Sequence, residues 1–281
     1  MVLKSMKCVL NNSNTVPIFG RSVSYKETEN FKNAEQYYSD CYLMATVDSL
    51  TNSYNGRRIL QQQLEIDNNN ENINCYLYSP SGEKEKYIIP ANTAVLGYED
   101  LYKNQNNKYI RALDISVAEY EKRHSIKPFI CRLSEIVKTY RFENNVPAHF
   151  MEQLTGVKPI TVGSTYKDLT LKGHREELMQ LFQKMAKEKH YSFVLTSGYK
   201  KFNGRRYHAY IIEDVNLEKN TITIKEKRKN TPQEISIDEA LSVFCAMSGY
   251  FESDLAKNLP KEYSREFTNF GDFWKKEFVV N

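Results

Sequence analysis

The sequence contains no CxxC pair and no stretch approaching the ~20 consecutive apolar residues that a bilayer crossing requires, so a membrane span is not expected. Residues 1–20 lack a sustained apolar segment ahead of a small-residue cleavage site, so no Sec signal peptide is expected either. The expected location is cytoplasmic, or outside the cell by a route that needs no Sec signal. Cysteine is scarce and unpaired in pattern: Cys8, Cys41, Cys75, Cys131 and Cys245 are odd in number and widely scattered. That argues against a disulfide framework and against zinc held by thiolates, and it fits a reducing compartment. A dense basic stripe is missing too. The formal charge is only +4, and the tightest cationic run, Lys225–Lys229, is interrupted by Glu226. A nucleic-acid partner is therefore not expected.

What remains is an ordinary globular composition, 41% hydrophobic and 26% charged over 281 residues, enough for one large domain or two modest ones. Residues 1–34 are polar and Asn-rich and read as an extended arm. From Ser39 to Leu64 the pattern turns helical: Leu43, Val47 and Leu50 share one face, and a second short helix is expected after an Asn55-Gly56 turn. Asn74–Tyr78 and Tyr87–Ile89, separated by Pro80-Ser81-Gly82, predict a hairpin. Ile110, Leu113, Val117 and Tyr120 mark another helix, and residues 131–142 and 175–189 read as two more. The last third changes character. Tyr191–Thr196, Tyr207–Glu213 and Thr221–Glu226 read as strands, and Ser236 caps a helix expected over 236–246, with Glu239 in capping-box spacing. Helices followed by mostly antiparallel strands make an α+β layout.

Chemistry concentrates at three places. Cys41 opens an amphipathic helix, where unpaired N–H groups and the helix dipole favour a thiolate and the next N–H points where an oxyanion would form; the same position also suits a small buried residue. Among five histidines, His124, His149, His174 and His190 lie in polar or helical surroundings and read as surface residues. His208 instead lies in a strand, on the face of Tyr210 and Ile212. A base for a thiol has to be held on rigid scaffold and sheltered from water, and a strand does this. A third group should accept the second imidazole N–H. Period-2 alternation puts Glu226 inward with Ile222 and Ile224, while a strand ending at Ile224 would leave it solvated. Asp214 faces away from His208 if the alternation holds.

Five segments in order together resemble the calpain family of cysteine proteases, in particular its bacterial catalytic domains. They are Ser39–Leu50, Tyr109–Tyr120, Phe150-Met151-Glu152-Gln153-Leu154-Thr155-Gly156, His208-Ala209-Tyr210 and Ser236-Ile237-Asp238-Glu239. The resemblance implies a papain-like fold in which a helical half (residues 35–160) carries Cys41 and a β-rich half (residues 161–281) carries His208. It implies peptide-bond cleavage through a thioester on Cys41, a protein as substrate, and no metal or other cofactor. Two positions depart from the family. Its oxyanion-hole Gln falls at Glu35, and since an ionised Glu35 would repel an oxyanion the role passes to Gln36. Its Asn-Pro-Trp motif is absent, and the Asn position falls at Glu226, with Asn230 as the alternative third member. No EF-hand pattern accompanies the segments. The departures keep two other readings open, an inactive calpain-like binding module and a deamidase or transglutaminase using the same Cys and His. The Asn- and Lys-rich composition fits an AT-rich bacterial genome, and an effector acting on a host protein is one setting for such a domain.

Overall fold

The structure, a computed structural model, describes residues 21–22, 31, 41–67, 72–90, 107–124, 129–133, 137–141, 146–164, 168–227 and 231–259. In chain order a short strand β1 (Arg21–Ser22) precedes helices α1 (Cys41–Leu50) and α2 (Tyr54–Gln63). Strands β2 (Leu64–Ile66), β3 (Asn72–Tyr78) and β4 (Lys84–Pro90) come next, then helix α3 (Lys108–Arg123). A hairpin of β5 (Phe129–Leu133) and β6 (Val137–Arg141) is followed by α4 (Val146–Thr155) and β7 (Ile160–Gly163). Helix α5 (Arg175–Lys187) leads to β8 (Tyr191–Ser197), β9 (Ala209–Asn216), β10 (Thr221–Lys225) and β11 (Pro232–Ser236). The described chain ends with α6 (Ile237–Val243), β12 (Phe244–Phe251) and the short α7 (Glu252–Leu255). The strands form a four-stranded sheet β1-β2-β3-β4, a six-stranded sheet β11-β10-β9-β8-β12-β7 and the β5-β6 pair, with antiparallel pairing throughout the described residues. The fold is mixed α+β.

Helix α1 is the hub. Every residue from Leu43 to Leu50 is buried, so all sides of the helix are covered and not only an apolar stripe. It packs on β8 and β9 and, away from them, on α4. Its C-terminal end is tied down where Ser192 Oγ donates to the Ser49 carbonyl at 2.8 Å, satisfying one of the carbonyls a helix end leaves open. The six-stranded sheet splits the interior into two cores. Ala209 and Ile211 of β9, with Val194 and Tyr250, join the core built by the first four helices and the small sheet. Tyr210 and Ile212 point the other way, into a second core with Leu178 and Phe182 of α5 and Ala240 and Leu241 of α6. This is the period-2 alternation of a strand buried on both faces.

Three expectations need correction. Residues 131–142 are not a helix: Phe129–Leu133 pairs antiparallel with Val137–Arg141. The run is rich in β-branched and aromatic residues, and short apolar runs of this kind carry no decisive period. The helix expected over 236–246 stops at Val243. Ser236 Oγ accepts from Glu239 N at 3.0 Å as its cap, but from Phe244 the chain pairs with β8, and from Ala246 with β7 as well. Finally, Asn55-Gly56 is not the turn between the first helices. The break falls at Thr51–Ser53, Ser53 caps α2 by accepting from Gly56 N, and Gly56 lies inside the first turn, where a Cβ would collide with the Leu50 carbonyl. Within the expected N-terminal arm, Phe31 is buried in the first core and Arg21–Ser22 pairs with β2.

Candidate active site

Cys41 is the first residue of α1 and is only partly buried, whereas the helix from Leu43 onward is fully covered. Its Sγ lies 3.9 Å from the carbonyl oxygen of Tyr207, so the thiol sits against the peptide unit that joins Tyr207 to His208. The other thiols whose surroundings are described are of a different kind. Cys75 and Cys245 are both buried, and burial pushes each of their pKa values up to about 12. They are protonated and poorly nucleophilic at neutral pH.

His208 stands at the entrance to β9, pinned by its own backbone. Its N–H donates to Ser197 Oγ at 3.0 Å, and its carbonyl accepts from Ser197 N at 2.9 Å and from Ser197 Oγ at 3.3 Å. The ring meets Tyr210 edge to face, with centroids 5.1 Å apart. Its Nε2 lies 3.3 Å from Glu226 Oε1, and both side chains are almost wholly buried, at 7% and 3% exposure. The approach is one of distance and charge rather than an aligned hydrogen bond; a tautomer with the proton on Nε2 would leave Nδ1 as the basic nitrogen. Glu226 lies one residue beyond β10, and β10 shifts register against β9 between Thr223 and Ile224. Both Lys225 and Glu226 end up buried, so simple alternation does not describe this strand end.

A cation shares the carboxylate with the imidazole: Arg205 Nε lies 3.0 Å from the same Glu226 Oε1. The local sequence explains how it gets there. Phe202 and Arg205 exchange backbone hydrogen bonds at 2.9 Å, across Asn203 (φ 49°) and Gly204 (φ 79°). Two central residues with positive φ and an Asn-Gly sequence make a type I′ turn. The chain then returns through Tyr207, whose φ of 51° is left-handed. For a bulky residue that conformation costs about 1–2 kcal/mol, and it directs the Tyr207 carbonyl at Cys41.

Deeper along α1, Asp48 is fully buried between two lysines. Lys225 Nζ lies 3.0 Å and Lys227 Nζ 2.9 Å from its Oδ2. Lys227 also donates to the Phe31 carbonyl at 3.0 Å, and Lys225 reaches Glu213 at 2.8 Å. Burial acts against the charge of Lys225, but the carboxylates of Asp48 and Glu213 outweigh it and raise its pKa above the ordinary lysine value.

Of the residues singled out in the sequence, Cys41, His208 and Glu226 are brought into one neighbourhood. Glu35, Gln36 and Asn230 lie outside the described residues. Asp214 is exposed on β9, opposite Thr223. His124 pairs with Glu85, and His174 with Asp168 and Glu177. The sequence reading missed Arg205, Asp48, Lys225 and Lys227. Asn203-Gly204 between two strand-like runs was the available signal for the first, since a I′ turn folds Arg205 back beside β9. No local signal marks the other three, because their partners are distant in sequence. No protein-family model matches the chain, and no curated protein is significantly similar to it. No helix among the described residues is long and apolar enough to cross a membrane.

Proposed function

We propose that the protein is a papain-like cysteine protease related to the calpains, with Cys41 as nucleophile, His208 as general base and Glu226 as the group that orients the imidazole. The observation that carries this reading is the His208 Nε2–Glu226 contact at 3.3 Å, made by a histidine whose preceding peptide carbonyl lies 3.9 Å from Cys41 Sγ. In the proposed reaction His208 Nδ1 takes the thiol proton and the thiolate attacks the scissile carbonyl. Backbone N–H groups at the start of α1 face the developing oxyanion. The imidazolium passes its proton to the leaving amine, and water activated by the same ring releases the acid from the thioester. Glu226 fixes the tautomer and balances the imidazolium, while Arg205 keeps the buried carboxylate paired throughout. The resemblance to the family adds Gln36 as an oxyanion donor.

The test is labelling by iodoacetamide or an E-64-type epoxide at pH 7, followed by peptide mapping, alongside digestion of a fluorescent casein. Cys41 should react at least ~10²-fold faster than Cys75 or Cys245, and Cys41→Ala should abolish digestion while staying folded. Slow labelling spread over several cysteines, together with digestion that survives Cys41→Ala, would refute the proposal. Ammonia release from glutamine peptides without chain cleavage would instead identify a deamidase or transglutaminase built on the same thioester.

A further inference from the structure

The segment joining β8 to β9 runs from Gly198 to Tyr207 and carries Lys200, Lys201, Arg205 and Arg206 with no acidic residue. The whole chain has a net charge of only +4, so this is a local concentration of positive charge. It is also placed where a substrate would pass, because its last residue offers the carbonyl that touches Cys41 Sγ at 3.9 Å. Two of the four cations are engaged: Lys200 Nζ donates to the Ser242 carbonyl at 3.1 Å and Arg205 pairs with Glu226. Among the described residues Lys201 and Arg206 have no carboxylate partner, and both are exposed.

Arg206 is nonetheless held in place. Its guanidinium lies 4.3 Å from the ring centroid of Tyr199, and that ring is itself 60% exposed. A solvated run of charge needs no such support. A guanidinium held over a ring by this attraction can keep its N–H edge, the edge that grips a carboxylate through two parallel hydrogen bonds, available to a ligand. An arginine fixed in this way loses little side-chain freedom when it binds.

We propose that the Gly198–Tyr207 hairpin selects acidic protein substrates, with Arg206 on its Tyr199 platform taking an Asp or Glu side chain within a few residues of the scissile bond. Lys201 adds attraction without fixed geometry. The placement beside the thiol rests on the protease reading above, but the charge recognition does not, so the two can fail separately.

The experiment uses the full chain carrying Cys41→Ala and measures binding of fluorescein-labelled peptides by anisotropy. A Glu-containing peptide is compared with its Gln-substituted twin and with a single-stranded oligonucleotide of similar length. The acidic peptide should bind about tenfold tighter than its twin at low salt, the worth of one charge-assisted pair, and the advantage should shrink as ionic strength rises. Arg206→Glu should abolish the preference and favour a Lys-containing peptide, and Tyr199→Ala should weaken it. Both side chains are exposed, and a thermal melt of each variant confirms folding. Equal binding of the two peptides, a preference untouched by Arg206→Glu, or tighter Arg206-dependent binding of the oligonucleotide would overturn the proposal. Acidic preference in a protein that cleaves nothing and whose Cys41 resists alkylation would uphold the hairpin and remove the protease. Cleavage with no acidic preference would do the reverse.

Discussion

Replacing Asp48 with Asn tests what holds the two halves of the site together. The side chain is fully buried, and Lys227, 2.9 Å away, is 1% exposed. At an effective dielectric near 20, unit charges at that distance attract by about 6 kcal/mol. Desolvation offsets part of this for the intact cluster, but in the variant the lysines stay buried and the compensation from Asp48 is lost. Lys225 retains Glu213 at 2.8 Å, on the more exposed side of the cluster. Lys227 retains the Phe31 carbonyl at 3.0 Å, a dipole where a full charge had been. Breaking a buried pair by removing one partner costs about 3–5 kcal/mol, which is a large part of a typical total of about 5–15 kcal/mol. In urea, with a slope of about 2–3 kcal/mol per M for a chain of this size, the midpoint should fall by about 1–2 M. Asp48→Asn combined with Lys227→Met should lose less than the two separate losses added together, because the second change removes a buried cation that the first deprives of Asp48. A midpoint shift below about 0.3 M, or strictly additive losses, would show that the cluster holds nothing together.

Glu226→Gln should lower kcat by about 10²-fold or more through lost support of the imidazolium, with Asn230→Ala near wild type; steady-state kinetics giving the reverse pattern would move the orienting role to Asn230. Tyr207→Gly should relieve the left-handed strain at φ 51°, so thermal stability should hold or rise slightly while cleavage slows as the carbonyl facing Cys41 gains freedom; a marked fall in melting temperature would contradict this. Glu121 has no hydrogen-bond partner for either carboxyl oxygen, and burial, then the nearby Asp114, push its pKa up to about 8 from 4.5. The unfolded chain therefore ionises first as pH rises, so stability should be lost between about pH 4.5 and 8, by up to about 5 kcal/mol. Melting curves of Glu121→Gln should show that this loss has gone, and identical pH dependence in the two proteins would rule the assignment out.

The parts of the fold legible in the sequence are those written in local pattern. The spacing of Leu43, Val47 and Leu50 marked α1, Pro80-Ser81-Gly82 marked the β3–β4 hairpin, and Ser236 with Glu239 marked the start of α6. Misreadings fell where local pattern carries little information. Phe244–Phe251 is buried along its whole length, so it shows no alternation to separate it from the helix before it, and only its pairing with β7 and β8 makes it a strand. The candidate site was legible to the extent that its residues announce their chemistry: a cysteine at a helix start, a histidine read as part of an apolar strand that begins one residue later at Ala209, a carboxylate just past a strand end. Arg205 and the lysines around Asp48 read as ordinary surface charge, because the carboxylates that pair with them are supplied by other elements.

The placement of Asp48 shows how these features work as one assembly. Cys41 and Asp48 are two turns apart on α1, and so lie on the same side of the helix. At one end of that side Cys41 meets the peptide before His208. At the other, Asp48 takes Lys225 and Lys227. Glu226 lies between those two lysines in sequence, and its carboxylate returns to His208 at 3.3 Å. The helix that carries the proposed nucleophile thus also grips both neighbours of the proposed orienting residue, which closes a loop from α1 through β10 and His208 back to α1. A shift of α1 along its axis would move the thiol and the carboxylate together relative to the ring and would break two buried ion pairs. On this reading the buried charge cluster, together with packing, holds α1 in register with β10, and the Asp48→Asn variant is the test of that coupling.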